Sequence, residues 1–169
     1  MTNLLFVPNP LLRQKAEKIR SVGPDEKKIA NKMMDVMLRA PGVGLAANQI
    51  GILKQIVTIF FVEKERNREI QYTLYNPKII SYSSETISME EGCLSLPEQF
   101  SEIERPKKIS LEFLDEKNNL IKKNADGIEA RILQHEIDHL SGKLFVDYLS
   151  SLKRNIMIKK VQKYLKNKA

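Results

Sequence analysis

Two histidines and a glutamate within five residues form the most chemically specific pattern in the sequence. They are His135, Glu136 and His139 of the segment HEIDH, and the chain has no other histidine. On an α-helix, side chains four residues apart lie one turn above each other, so both imidazoles can reach one metal ion. Glu136 lies beside them, where its carboxylate can take a proton from a water molecule at the metal. The pattern favours a hydrolytic metal site over two unrelated histidines.

A catalytic metal site usually has three protein ligands and one open position, so a third ligand is needed. Two residues can supply it. Asp147 is the one nearby metal-binding side chain downstream of the motif, and Cys93 is the single cysteine, in the segment EGCLSLP. A lone cysteine is more often a small buried hydrophobe. Gly92 and Pro97 place Cys93 in a shaped loop, which favours a ligand role and leaves the buried role open.

A glycine-rich loop, GVGLAA, matches the spacing of a dinucleotide-binding fingerprint. Its context is the reverse of the strand–turn–helix order of that motif, because the loop follows a predicted helix and precedes a predicted strand. We therefore predict no nucleotide there. Glycine backbone can instead approach a ligand closely, and Gln49 after the loop can offer an amide donor. For a lone glutamine, a solvated loop position is the ordinary alternative.

Apolar periodicity and helix start and stop signals predict the elements that would position these residues. Asp126–Leu140 is predicted as the helix of the metal motif. Asp126 and Glu129 are predicted to form a capping box at its start, and Gly142 lies just past its end. A second helix is predicted over Asp25–Ala40.

The remaining pattern predicts strands and a final helix. Segments rich in Ile, Val, Tyr and Thr predict strands, which are Ile52–Val62, Ile70–Tyr75, Lys78–Tyr82, Glu85–Met89, Ile109–Leu114 and Leu120–Lys123. A loop is predicted around Cys93. The final helix is predicted over Leu149–Leu165, with an apolar face formed by Leu152, Ile156, Val161 and Leu165. The predicted fold class is α+β, with mostly antiparallel strands packed around a central metal-binding helix and with a C-terminal helix.

Length and composition predict one globular domain over residues 1–169, since 42% of the residues are hydrophobic and 29% are charged. The longest near-continuous apolar run, Ile56–Val62, is far shorter than the roughly 20 residues of a membrane-spanning helix. No export signal is recognised, and a single cysteine cannot form an internal disulfide. These features predict a protein of a reducing cytoplasm without a membrane partner.

The net charge of +7 comes from the end of the chain. After position 148 the chain has seven basic residues and no acidic residue. The preceding residues have 21 basic and 21 acidic side chains, so their formal charges cancel. The sequence therefore predicts one local basic element, the helix within residues 148–169, and no DNA-binding surface across the whole domain.

Three segments, taken in order, resemble the signatures of bacterial, iron-dependent peptide deformylases: GVGLAANQIG, EGCLSLP and QHEIDHLSG. The resemblance implies removal of the N-formyl group from the initiator methionine of nascent peptides in the bacterial cytoplasm. It implies one divalent metal ion per chain, held by Cys93, His135 and His139. Ferrous iron is the usual ion, and zinc, nickel or cobalt can replace it. It also implies contact between the basic C-terminal helix and the ribosome.

The same resemblance implies the roles of individual residues. Glu136 would be the general base and acid, while Gln49 and the backbone N–H of Leu94 would stabilise the oxyanion. An apolar pocket for the methionine side chain would be lined by Val43, Gly44, Ile128 and Ile132, with the stem of Arg131 at its edge. For Ile128 and Ile132, helix-to-sheet packing is an equally ordinary role. Phe100 stands where some bacterial members have an arginine that contacts the substrate.

Two other functions would use some of these residues. A metallopeptidase of another family would share HEIDH but needs a third ligand downstream of it, and would not need Cys93. A nucleic-acid or ribosome-binding module could carry a structural metal, but such a site usually has four protein ligands, and no fourth is evident. Asp138 and Arg105 could support the metal ligands or form a surface salt bridge.

Overall fold

A computed structural model describes residues 4–168 of the chain. Over that range the helices and strands follow one another as α1 Pro24–Arg39, β1 Gly44–Ala46, β2 Ile56–Glu63, β3 Arg68–Tyr82, β4 Thr86–Cys93, β5 Leu96–Pro106, β6 Lys108–Leu114, β7 Leu120–Asp126, α2 Gly127–Leu140 and α3 Ser151–Lys168. Short 3-10 helices occupy Pro10–Arg13, Ala47–Ile50, Lys64–Arg66 and Phe145–Tyr148. None of the described helices is long and apolar enough to span a membrane.

The strands form a five-stranded sheet in the order β1-β2-β3-β6-β7 and a separate β4–β5 hairpin. Every pairing between these strands is antiparallel. The predicted fold class, an α+β arrangement of mostly antiparallel strands around one helix, is confirmed.

The helix of the metal motif packs on one face of the five-stranded sheet and α1 packs on the other. Successive residues of a strand point to opposite faces. Accordingly, Val57 of β2 is buried with Leu133 of α2, while its neighbour Ile56 is buried with Met33 of α1. Each such fully buried side chain contributes about 1.5–3 kcal/mol through removal of its apolar surface from water. The helix that carries both histidines is therefore held against a rigid layer.

β1 (Gly44–Ala46) lies within the glycine-rich segment that was predicted as a loop, and β4 extends past Met89 to Cys93, where a loop was also predicted. Two further strand predictions need correction. The segments Ile70–Tyr75 and Lys78–Tyr82 belong to one strand, β3, in which a register shift after Tyr75 accommodates the Asn-Pro step. The second correction is β5, which lies where a loop was predicted. Apart from Phe100, its exposed face consists of glutamates, so its sequence lacks the apolar content by which strands are recognised.

The predicted capping box of α2 is wrong. Asp126 occupies the N-cap position, but its side chain makes no capping hydrogen bond. Glu129 instead accepts a hydrogen bond from the Tyr72 hydroxyl at 2.7 Å and pairs with the Lys123 ammonium at 3.1 Å. A tertiary contact thus replaces the local one. The predicted stop is confirmed, because Gly142 follows the helix with a φ of +75°.

Gly142→Ala is expected to lower the free energy of unfolding by about 2 kcal/mol or more, measured by urea titration. A side chain at this positive φ costs about 1–2 kcal/mol, and a Cβ would also overlap the backbone of Arg13. Gly127→Ala is the matched control. Gly127 has a φ of +56° with open space around it, so it should cost only the strain. Equal losses for the two variants would contradict the proposed overlap.

The inward face of α3 also differs from the prediction. Ser150 caps the helix by accepting a hydrogen bond from the Lys153 backbone N–H at 3.3 Å. Val161 is fully buried, whereas Leu152 is 71% exposed and Ile156 is 44% exposed. At about 100° per residue, Leu152 lies half a turn around the helix from Val161. The side chains that share the inward face with Val161 are those of Met157, Ile158 and Leu165.

Candidate metal centre and active site

Three ligand atoms from two elements converge on one point. The distance between His135 Nε2 and His139 Nε2 is 3.3 Å, and that between Cys93 Sγ and His139 Nε2 is 3.4 Å. A tetrahedral ion bound at the usual zinc distances would separate two nitrogens by about 3.3 Å and a nitrogen from a sulfur by about 3.6 Å. The donor set and its spacing therefore fit a single divalent ion.

The β4–β5 hairpin brings the cysteine to the histidine helix. Cys93 is the last residue of β4, and a register shift after Gly92 leaves Cys93 paired with Leu96 across a tight turn. The alternative ligand, Asp147, lies outside this cluster. Its carboxylate makes a two-point ion pair with the Arg13 guanidinium, with distances of 2.5 and 3.0 Å.

Glu136 is buried beside the cluster with an unpaired oxygen. Among the described residues, its Oε2 atom has no hydrogen-bond partner, although Glu136 is only 5% exposed. Burial raises the pKa of Glu136 to about 7, against the opposing effect of His135. Gly44 makes this placement possible, since a Cβ at that position would lie 2.6 Å from Glu136 Oε1. A carboxyl group with such a pKa can both accept and release a proton at neutral pH.

Gln49 is buried next to the cluster and is held at both ends of its carboxamide. Its Oε1 atom accepts a hydrogen bond from the Ala46 N–H at 2.9 Å. Its Nε2 atom lies 3.1 Å from Ser95 Oγ and 3.5 Å from Cys93 Sγ. The ordinary alternative of a solvated loop glutamine does not apply, because Gln49 is 1% exposed.

A cavity of about 560 Å³ opens beside the cluster. The sequence predicted eleven site residues, and ten of them line this cavity. They are Val43, Gly44, Gln49, Cys93, Leu94, Ile128, Arg131, Ile132, His135 and Glu136. The exception is His139, which is 1% exposed. Phe100 also lines the cavity and is 59% exposed. Leu4 and Phe6 extend the apolar wall from the start of the described chain.

Arg131 lines the cavity, and its guanidinium is hydrogen-bonded to the β4–β5 hairpin. The guanidinium donates to the Glu91 carboxylate at 2.8 Å and to the carbonyl oxygens of Ile103 and Ile87 at 2.7 and 2.6 Å. These bonds fasten α2 to the β4–β5 hairpin. Arg131 thus helps to hold the two elements that carry the cluster, and its charge is already paired.

Sequence reasoning missed Glu91, which supports His135. Its carboxylate lies 2.9 Å from His135 Nδ1 and is also bound by Arg105 and Arg131. Burial alone would raise the pKa of Glu91, but hydrogen bonds from His135 and Arg105 outweigh it and lower the pKa to about 2. A carboxylate behind a metal-binding imidazole fixes the ring orientation and tautomer. Its position two residues before Cys93 was the only signal in the sequence.

The question left open for Asp138 and Arg105 is answered by their burial. Arg105 is 2% exposed and donates to the Asp138 carboxylate at 2.9 Å, while the Tyr148 hydroxyl donates to the same carboxylate at 2.7 Å. Because Arg105 also binds Glu91, the pair belongs to a buried network behind His135. It is not a surface salt bridge.

Three side chains that could hold one metal ion, with a buried carboxylate beside them, fit a mononuclear metallohydrolase. The family model of polypeptide deformylases matches residues 1–155. The chain belongs to the polypeptide deformylase family. It is a metal-dependent hydrolase that removes the N-formyl group from the N-terminal methionine of nascent polypeptides.

Relatives match over nearly their whole length. A peptide deformylase of Pelagibacter ubique is 45% identical over 168 residues, covering 98% of this chain and 96% of the relative. One from Rhizobium meliloti is 40% identical, covering 98% and 94%. The crystal structure of the Ehrlichia chaffeensis peptide deformylase superposes with a TM-score of 0.94 at 36% identity, covering 99% and 98% of the two chains. The same enzyme has been solved in complex with actinonin, with a TM-score of 0.91 at 38% identity and coverage of 97% of each chain.

Proposed function

We propose that the deformylation reaction takes place in the 560 Å³ cavity, with Cys93, His135 and His139 holding one divalent ion. The convergence of these three ligand atoms within 4.8 Å of one another is the observation that carries the proposal. When bound, such an ion supplies Lewis-acid polarisation of a carbonyl group and makes a water molecule more acidic.

Glu136 moves the proton in this proposal. It takes a proton from the attacking water, whose oxygen forms a bond to the formyl carbon, and it returns that proton to the amine nitrogen as the C–N bond breaks. Formate and a free N-terminal amine are the products. The buried, unpaired Oε2 atom of Glu136, a residue that lines the cavity, and the pKa near 7 support this role.

Gln49 and Leu94 are proposed to hold the formyl oxygen as negative charge develops on it. The Gln49 Nε2 group and the backbone N–H of Leu94 would donate hydrogen bonds to that oxygen. Both residues line the cavity next to Cys93, and Gln49 is held in place before any substrate arrives. Loss of one donor of this kind typically costs about 10²- to 10³-fold in rate.

The methionine side chain is proposed to occupy the apolar part of the cavity. Val43, Gly44, Ile128 and Ile132 line it, and the stem of Arg131 borders it. Ile132 is also buried against the sheet, so it combines packing with lining, whereas Ile128 is 40% exposed and free to contact a ligand. An unbranched apolar side chain suits such a pocket.

We propose ferrous iron as the ion in the cell, with zinc, nickel or cobalt accepted by the same ligands. One thiolate and two imidazoles suit these ions. The same thiolate makes Cys93 open to oxidation when the ion is iron. We further propose that the chain acts as one catalytic domain in the bacterial cytoplasm, where formylated nascent chains emerge.

The deciding experiment measures formate release from formyl-Met-Ala-Ser by apoprotein reloaded anaerobically with iron, nickel or zinc. We expect turnover with formyl-Met-Ala-Ser, little with acetyl-Met-Ala-Ser, and loss of turnover on addition of actinonin. Absence of formate release with every metal would contradict the proposal.

Ribosome contact through α3 is the second part of the proposal. Six lysines of α3 are exposed, and five of them lie at positions 159, 160, 163, 166 and 168, while Val161 fixes the helix to the body. An uncompensated basic helix suits ribosomal RNA, and such binding weakens steeply with salt. The logarithm of the affinity should fall against that of the salt concentration with a slope of roughly −0.7 to −0.9 per phosphate neutralised.

Replacement of those five lysines with glutamine is expected to abolish co-sedimentation with ribosomes at low salt and to spare hydrolysis of short formyl peptides. The control replaces five exposed lysines outside α3, at positions 27, 28, 32, 117 and 122. Binding that survives the first set, or is lost equally with the second, would leave α3 an ordinary solvated helix.

A further inference from the structure

We propose that Ser95 is a positioning residue for deformylation, because its buried hydroxyl fixes the carboxamide of Gln49 with one N–H directed into the cavity. The inference rests on the proposed role of Gln49 as an oxyanion donor. Ser95 lies in the turn between β4 and β5, within the segment EGCLSLP and two residues after Cys93.

The hydrogen bonds fix which end of the Gln49 carboxamide faces the cluster. The backbone N–H of Ala46 can only donate, so the atom 2.9 Å from it must be the carboxamide oxygen. The amide nitrogen then faces Ser95 Oγ at 3.1 Å and Cys93 Sγ at 3.5 Å. Because an amide group has two N–H bonds in one plane, the bond to Ser95 aims the other towards the Cys93 side of the cavity.

The burial of Ser95 and Gln49 makes the serine hydroxyl important for the orientation of the Gln49 amide. Ser95 is 0% exposed and Gln49 is 1% exposed, so no bulk water can replace the serine as the partner of the amide. Without the hydroxyl, the sulfur of Cys93 would be the remaining neighbour of the amide among the described residues. A glutamine side chain has several rotatable bonds, and an unfixed donor must be ordered during the reaction.

The backbone around both residues is held by one short segment. The Leu5 N–H donates to the Gln49 carbonyl at 2.7 Å, and the Val7 N–H donates to the Ser95 carbonyl at 3.1 Å. Leu5 and Val7 are two residues apart, so one short segment binds the backbone of both Gln49 and Ser95. These two bonds link the 3-10 helix of Gln49 to the turn of Ser95, two segments that are 46 residues apart in sequence. The serine hydroxyl then needs no movement to meet the amide.

Ser95→Ala in the metal-loaded protein is expected to lower kcat for formyl-Met-Ala-Ser by about 10-fold or more, with KM changed less than about twofold. An interaction made only in the transition state gives this split between the two constants. Thr58→Val is the matched control. Thr58 is also 0% exposed, but its hydroxyl has no hydrogen-bond partner among the described residues, so kcat should not change.

A double-mutant cycle separates action through Gln49 from any other role. In a Gln49→Ala background, Ser95→Ala should reduce kcat by less than about twofold, because the amide that it positions is gone. A full additional loss in that background, or a loss of bound metal on Ser95→Ala alone, would overturn the proposal. An unchanged kcat with a lowered melting temperature would also overturn it, since the hydroxyl would then serve only stability.

A readout independent of turnover is the ¹H–¹⁵N signal of the Gln49 side-chain amide. We expect a shifted and broadened signal in Ser95→Ala and an unchanged one in Thr58→Val. If Ser95→Ala does not fold, Ser95→Cys supplies the same cycle with a weaker acceptor, and failure of both to fold would overturn the assignment. If wild-type protein releases no formate while the amide signal still depends on Ser95, the proposed function is contradicted. The hydrogen bond between Ser95 and Gln49 is then still supported.

Discussion

Glu136→Gln is expected to lose nearly all turnover while it keeps its metal ion. The glutamine amide has the same shape as the carboxyl group but cannot accept the proton of the attacking water. Removal of a general base and acid typically costs about 10²- to 10⁴-fold in rate. Formate release and metal content, measured on the same preparation, check both parts of the prediction.

The structure gives the reason why metal binding should survive this change. Glu136 is outside the cluster formed by Cys93, His135 and His139, and its Oε2 atom has no partner in the described part of the chain. No bond that holds the ligands is therefore lost. A variant that loses its metal ion would show that Glu136 is a ligand or a structural residue, and the proposed proton transfer would be wrong.

Glu129→Gln is the matched control for Glu136→Gln. Both glutamates are buried on α2, but Glu129 binds Tyr72 and Lys123 at the opposite end from the cluster. We expect Glu129→Gln to lower stability while kcat stays within a few-fold of wild type. A comparable loss of turnover in both variants would attribute the effect to general damage of the helix.

The helix of the metal motif could be predicted because its signals are local. Apolar spacing, the start near Asp126 and the stop at Gly142 all lie within one segment, and the structure confirms α2 as Gly127–Leu140. The prediction of a capping box was wrong because the partner of Glu129 is not local. Glu129 accepts a hydrogen bond from Tyr72, a residue 57 positions away, and no local sequence pattern predicts such a partner.

The supporting residues of the site could not be predicted for the same reason. Glu91 and Ser95 contact His135 and Gln49, respectively, across 44 and 46 residues of sequence. Apart from Phe100, the β5 strand that brings this segment to α2 is polar on its exposed side and has no strand pattern. Motif spacing identified the two histidines, and the family resemblance added Cys93, whereas the residues that orient these side chains depend on which elements pack together.

Cys93→Ser is expected to reduce bound metal from one ion per chain to nearly none and to abolish turnover. A serine hydroxyl stays protonated at neutral pH, so the variant loses the only thiolate and leaves two imidazoles, which hold a metal poorly. Metal content after gel filtration is the first measurement. The second is the melting temperature with and without a chelator. Bound metal stabilises only the folded state, so the chelator should lower the melting temperature of wild type and leave that of Cys93→Ser unchanged.

Asp147→Asn tests the other ligand that the sequence allowed. Asp147 is bound by Arg13 and accepts a hydrogen bond from the Leu144 N–H at 2.9 Å, so its loss should reduce stability modestly. It should not reduce metal content, because Asp147 lies outside the cluster.

The iron form of the wild type should also lose activity in air as Cys93 is exposed to oxidation, whereas a nickel form should persist. An air-stable iron enzyme whose Cys93→Ser variant keeps full activity and metal would contradict the assignment of Cys93 as the third ligand.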